Sequence, residues 1–299
     1  MANKPFELSG AVLVMIGAAM ISFSGVFVKV AHVTPTAAAF YRVLFGGLIL
    51  TVLSLASGER FFRSGRLFFL ALFCGLFFTL DLIFWHYSVR YVGPGLATIL
   101  ANFQVFGLAL YGVLIVGERL TLRLGLSIPL ALFGLIMLVG FNWRALSAEY
   151  RAGLMFGLLT ALAYTFYLLA LRRSQSLPDK MTPLANMAVV SLTAAVFAAL
   201  EMIRTGNPWR IPDAQSWAAL LAYGCLGQVL GWVSISKGLP RVPASRAGLI
   251  LMLQPALAFI WDVSFFGRSA TLREVSGAVL AIAAIYLGST ARLTPTPKG

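Results

Sequence analysis

Apolar residues fill 60% of the 299 positions and charged residues only 11%, against roughly 45–50% and 25% in ordinary soluble domains. The mean hydropathy of +0.88 comes from long apolar runs divided by short charged segments, which excludes a soluble globule and places the chain in lipid. The net charge of +13 is scattered over those short segments, so it reads as headgroup and positive-inside charge, with no nucleic-acid partner.

A helix crossing about 30 Å of hydrocarbon needs about 20 residues. Ten runs qualify, at 8–30, 35–56, 67–89, 94–116, 123–141, 151–171, 182–203, 215–236, 245–266 and 273–291. The first is too long for a signal-peptide core and is read as a retained span. Turns marked by Thr34-Pro35, Gly93-Pro94, Pro178, Pro208 and Pro240 separate the runs, because proline lacks a donor and ends helices. With the N-terminus inside, 14 Lys and Arg lie in cytoplasmic segments and 8 outside, with Arg42 within a span; this bias predicts that Met1 and Gly299 both face the cytoplasm. Cys74 and Cys225 lie within apolar runs and are expected to be packing residues.

The two halves resemble each other. Thr34-Pro35 opens span two and Thr182-Pro183 opens span seven. At an offset of 150, Leu120–Arg123 matches Ala270–Arg273, Gln104 matches Gln254, Gly117 matches Gly267 and Val92 matches Val242. Matches in order at corresponding span ends indicate duplication, with repeats over 1–145 and 146–299. Five spans per half is an odd number, so the second half enters the membrane the other way up. The expected fold is all-α, ten transmembrane helices in two inverted repeats, an architecture associated with alternating access around a midplane site.

Polar residues within spans are the informative exceptions. Arg42 lies about seven residues, roughly 10 Å at 1.5 Å per residue, from the outer end of span two. Asp81 of span three and Asn102 of span four share that depth, while Tyr164, Gln228 and Gln254 approach the midplane from the inner side. These residues, with Gln104, are the candidates for a polar-lined cavity. Arg42 and Asp81 are also expected to form an ion pair in at least one conformation, structural or gating; the amides have a second reading as glue between helices. Trp85 follows Asp81 by one turn and Trp232 follows Gln228 by one turn, which sets an aromatic wall beside a polar group, suited to an amphipathic solute. Core packing is the other reading of both. Trp143, Trp209 and Trp217, near span ends, read as interfacial belt residues. Gly10, Gly17 and Gly25 recur along span one, as small residues do where helices pack closely. His86 is near the outer end of span three and His32 is in a loop. There is no metal-ligand spacing, phosphate-binding glycine loop or nucleophile with a base, so no cofactor, metal or enzymatic activity is expected.

With Lys29 closing span one, Thr34-Pro35 and Arg42 in span two, Gly117-Glu118-Arg119-Leu120-Thr121 ending span four and Pro255 in span nine, the chain resembles the drug/metabolite transporter superfamily, specifically its EamA-type ten-helix proteins. The resemblance covers nearly the whole chain. It departs at Val105, where the first repeat usually has proline, and at Arg268, where the second usually has glutamate. The resemblance implies that spans one to four and six to nine line a central cavity, with five and ten outside, in a bacterial inner membrane. Within the superfamily the chain looks most similar to YddG-type exporters of aromatic and other amino acids, which sets Asp81, Trp85, Asn102 and Gln104 on the cavity wall.

The expected function is export of amino acids or similar small metabolites. Carriage of phosphorylated metabolites or nucleotide sugars is the runner-up, but such anions call for several deep cations and Arg42 is the only one. A hydrophobic-drug pump would leave Asp81 and the amides as costly idle polarity. Asp81 or His86 could carry a coupling proton. The sequence is silent on oligomeric state.

Overall fold

The structure, a computed structural model, describes residues 8–61, 64–119, 121–139, 147–267 and 269–289. Lys4, Arg63, Leu120, Trp143, Arg144, Arg268, Arg292, Lys298 and both chain ends lie outside the described residues.

Among the described residues, ten helical passes follow one another: Gly10–Val30, Pro35–Ala56, Gly65–Gly93, Ala97–Leu114, Leu122–Val139, Ala148–Ser174, Pro183–Thr205, Ala214–Arg241, Ala244–Phe266 and Leu272–Ser289. They are called spans one to ten below. The chain is therefore an all-α polytopic membrane protein, two inverted five-helix repeats. Odd spans run from the face where span one begins, the near face, to the far face; even spans return. Spans five and ten pair with each other at the periphery, where Gly134 lies so close to the backbone of Gly277 and Ala281 that a Cβ would come within 2.7 Å of either.

The repeat is visible in local chemistry. Thr34 and Thr182 each cap their span by accepting the N–H three residues on, at 3.2 Å in both cases, and each is followed by a proline whose missing N–H costs nothing at that position. Gly117 and Gly267, which end spans four and nine, both take a left-handed conformation, φ +73° and +60°, as glycine does past a helix end.

Four spans are not continuous α-helix, which their hydropathy did not reveal. Span one breaks at Phe23, between Ser22 and Ser24. Span four breaks after Ala101, where Gln104 starts a new helix, and span nine breaks in the same place 150 residues on, at Met252. The break in span four thus forms although Val105 stands where the family's first repeat usually has proline. Span eight is π-helical over Gly224–Gly231, a wider turn that recurs at functional sites.

Gly10 and Gly17 allow span one to touch span eight; a Cβ at Gly17 would sit 2.5 Å from the Gly231 carbonyl oxygen. Gly25 differs, with nothing within 4 Å of its would-be Cβ; it faces a cavity. Cys74 is buried, but Cys225 is exposed on span eight, so the packing role expected of both holds for Cys74 alone. Trp209 and Trp217 are exposed near the far face.

Candidate functional site

A cavity of about 370 Å³ lies between spans one, two, three, four, six, eight and nine. Arg42, Asp81, Trp85, Asn102, Tyr164, Trp232 and Gln254 are all on its wall, joined by Phe78 and Tyr223. Span one contributes Ser22, Ser24 and Gly25, beside the break at Phe23. That break is held by stacking: Phe23 lies on Trp261 of span nine at 4.4 Å, and the Trp261 indole N–H donates to Ser22 Oγ at 2.7 Å.

Arg42 is 5% exposed. Its Nε–H donates to Gln228 Oε1 at 3.2 Å and Nη1 donates to the Tyr223 hydroxyl at 3.2 Å. Gln228 passes the network on, donating from Nε2 to Ser191 Oγ at 2.8 Å. The guanidinium also lies 5.0 Å from the Tyr223 ring centre and 5.4 Å from that of Phe78, faces that attract a cation. All these hydrogen-bond partners are neutral, and a guanidinium has further N–H groups beyond the two they engage. Gly46 makes this possible: a Cβ there would fall 2.4 Å from Gln228 Cβ.

Asp81 lines the same cavity, one turn before Trp85, as their spacing predicts. The ion pair expected between Arg42 and Asp81 is not formed in this conformation: Arg42 turns instead to Gln228 and Tyr223. One cavity therefore carries a guanidinium and a carboxyl group that do not pair with each other. Deeper in, Gln254 Nε2 donates to the Tyr164 hydroxyl at 3.4 Å, and Asn102 donates to the Thr98 carbonyl at 2.8 Å.

Two sequence candidates lie behind the wall. Gln228 reaches the cavity through Arg42. Gln104, 1% exposed, is wedged between spans four and nine, donating to the Gly248 carbonyl at 3.3 Å. Span seven, which the resemblance assigned to the lining, contributes through Ser191 alone. Tyr223 was missed by sequence reasoning; its mid-span position, five residues before Gln228, was the available signal. His86 sits elsewhere, in a far-face recess of about 300 Å³ with Glu201 and Tyr87; Leu82 is common to both cavities.

At the near face, the Glu118 carboxylate accepts the N–H groups of Ala244 and Ser245 at 2.6 and 3.2 Å and the Ser245 hydroxyl at 2.7 Å, capping the start of span nine from the end of span four. Arg172 donates Nη1 to the carbonyls of Leu239, at 3.2 Å, and Val242, tying span six to the end of span eight. Most cavity-lining residues come from the far halves of their spans, so the cavity lies on the far side of these near-face ties.

Comparison with known proteins agrees with this architecture. The EamA-like transporter family model matches residues 8–140 and 151–290, one copy per half. An uncharacterized transporter of Archaeoglobus fulgidus is 27% identical over 58% of this chain, and one of Haemophilus influenzae 24% identical over 58%. These matches span 59% and 56% of those proteins' own lengths. The Pseudopaline exporter CntI of Pseudomonas aeruginosa is 23% identical over 97% of this chain and 98% of its own. A solved crystal structure superposes with a TM-score of 0.80 at 19% identity, covering 94% of this chain and 96% of that one, which speaks for the fold.

Proposed function

Because the chain belongs to the EamA-like transporter family, we propose that it carries small zwitterions, amino acids with apolar or aromatic side chains among them, by alternating access through the central cavity. The observation that supports this reading is that the Arg42 guanidinium and the Asp81 carboxyl group line one cavity without pairing to each other. Arg42 offers N–H groups to a carboxylate, Asp81 offers oxygens to an ammonium, and no ion pair joins them. Asn102, Tyr164 and Gln254 add neutral hydrogen bonds. Trp85, Trp232 and Phe78 cover an apolar side chain, so polar contacts orient the solute while the aromatic wall accepts a range of shapes. A phosphorylated metabolite or nucleotide sugar calls for more cations than Arg42 supplies to this wall, and a hydrophobic drug would leave the polar groups of Arg42 and Asp81 idle.

In this reading the near face is cytoplasmic, both termini are inside, and the protein works in a bacterial inner membrane. Similarity along nearly the whole chain to a protein named as an exporter supports the outward direction. Uptake of a panel of radiolabelled amino acids into proteoliposomes, with and without an imposed proton gradient, is the test. The expected result is saturable uptake competed by other zwitterions and unaffected by sugar phosphates. Sugar-phosphate uptake without amino-acid uptake would overturn it. C-terminal alkaline phosphatase and fluorescent-protein fusions test the orientation; phosphatase activity at the C-terminus refutes it.

A further inference from the structure

Beneath the cavity the path to the near face is blocked by rings. Phe78, Tyr164 and Trp232 form the deep end of the cavity, and Tyr167, one turn beyond Tyr164 and 0% exposed, closes it from below. Tyr167 stacks on Phe78 at 4.8 Å and meets Trp232 edge-on at 4.9 Å. This aromatic floor contains an inconsistency that apolar packing does not explain. The Tyr167 hydroxyl, the Trp232 indole N–H and, one turn nearer the near face on span eight, the Ser236 hydroxyl are all buried and make no hydrogen bond within the protein. Burying a donor without a partner costs free energy, and native interiors largely avoid it. Phenylalanine and alanine would fill the same space without that cost. Three such groups follow one another from the cavity floor towards the point where Arg172 ties down Leu239 and Val242.

We propose that Tyr167, Trp232 and Ser236 form a second, near-side subsite, covered in this conformation, which receives the carboxylate of the transported solute when the near face opens. All three can donate, none is charged, and rings flank them, so the subsite takes an anionic oxygen weakly and releases it. Arg42 remains the stronger anchor above. This rests on the zwitterion reading for its ligand, but the existence of a covered path does not.

The test uses full-length protein in nanodiscs, with C74A and C225A removing the native thiols and S236C introducing one. In the starting protein S236C should resist a hydrophilic maleimide; adding E118Q, which loosens the near-face cap, should raise its labelling rate about tenfold. Y167F, which removes only the hydroxyl, should bind radiolabelled phenylalanine as wild type does but exchange it across proteoliposomes about tenfold more slowly, and should be no less stable to heat. If S236C stays inert when E118Q opens the near face, or if Y167F exchanges phenylalanine at the wild-type rate, the subsite is packing and the proposal falls. Wild-type protein that binds no amino acid, together with S236C that is labelled once E118Q is added, removes the zwitterion reading and leaves the covered path standing.

Discussion

Glu118→Gln keeps the side chain's shape and removes the charge that holds span nine. The carboxylate takes three hydrogen bonds from the first residues of that span, two from backbone N–H groups. The start of a helix is where uncompensated N–H groups and the helix dipole both favour a negative charge. Losing such a cap costs about 0.5–2 kcal/mol, and a mid-range 1.4 kcal/mol is about tenfold in an equilibrium constant. Because the contact joins the end of span four to the start of span nine, it must part for the near face to open. The loss therefore falls on the closed state alone, and the near-open population should rise about tenfold. Spin labels at R119C and R241C, in the C74A/C225A background, read this as growth of a longer distance. Arg172, which holds Leu239 and Val242 through its own hydrogen bonds, should keep opening incomplete, so R172A added to E118Q should enlarge the long-distance fraction further. A distance distribution in E118Q identical to that of the parent protein would refute the latch.

The cavity wall predicts that W85L and Q254L lower amino-acid uptake about tenfold, the loss of roughly one hydrogen bond or aromatic contact, at normal expression. Q104L, behind the wall, should change uptake less; equal losses in all three would show that the wall has no special role. Gly17→Ala should lower thermal stability by about 1–3 kcal/mol, since its methyl overpacks the Gly231 carbonyl, whereas Gly25→Ala, in open space, should leave stability unchanged or raise it, as alanine favours helix. Equal melting shifts would contradict that contrast. At the far face, the His32 ring beside Asp213 holds its carboxyl below the usual carboxylate range, aided by the Ser216 N–H it caps. A depressed value in the fold means the stabilisation is present above the unfolded carboxyl's titration and is lost as pH falls through the folded value, below about pH 4. D213N should therefore melt lower than wild type at neutral pH, with the difference shrinking in acid. A difference that grows in acid would reverse the assignment.

Hydropathy alone determined the number of spans, because crossing hydrocarbon sets a minimum apolar length whatever the helices pack against. Thr34-Pro35 and Thr182-Pro183 placed two span starts correctly because capping is local chemistry, and the odd number of spans per repeat dictated the inversion. The polar exceptions gave depth along each span: Arg42, Asp81, Asn102, Tyr164 and Gln254 do share one cavity. What a membrane sequence withholds is rotation about each helix axis. With lipid on one side and protein on the other, both faces are apolar, so no hydrophobic stripe separates outside from inside. Thus Gln104 and Gln254, equivalent by repeat, part company: one is wedged against Gly248 while the other faces the cavity. Thus also Arg42 finds Tyr223 and Gln228, more than 180 residues away in sequence, instead of Asp81. Their meeting depends on Gly46 admitting the π-helical turn of span eight, a contact between distant segments that no local pattern encodes. Glu118 was legible as part of a motif, but its role emerges only where the end of one repeat's helix meets the start of the other's. Tertiary packing decided that, because it alone brings a carboxylate to uncapped N–H groups 126 residues away.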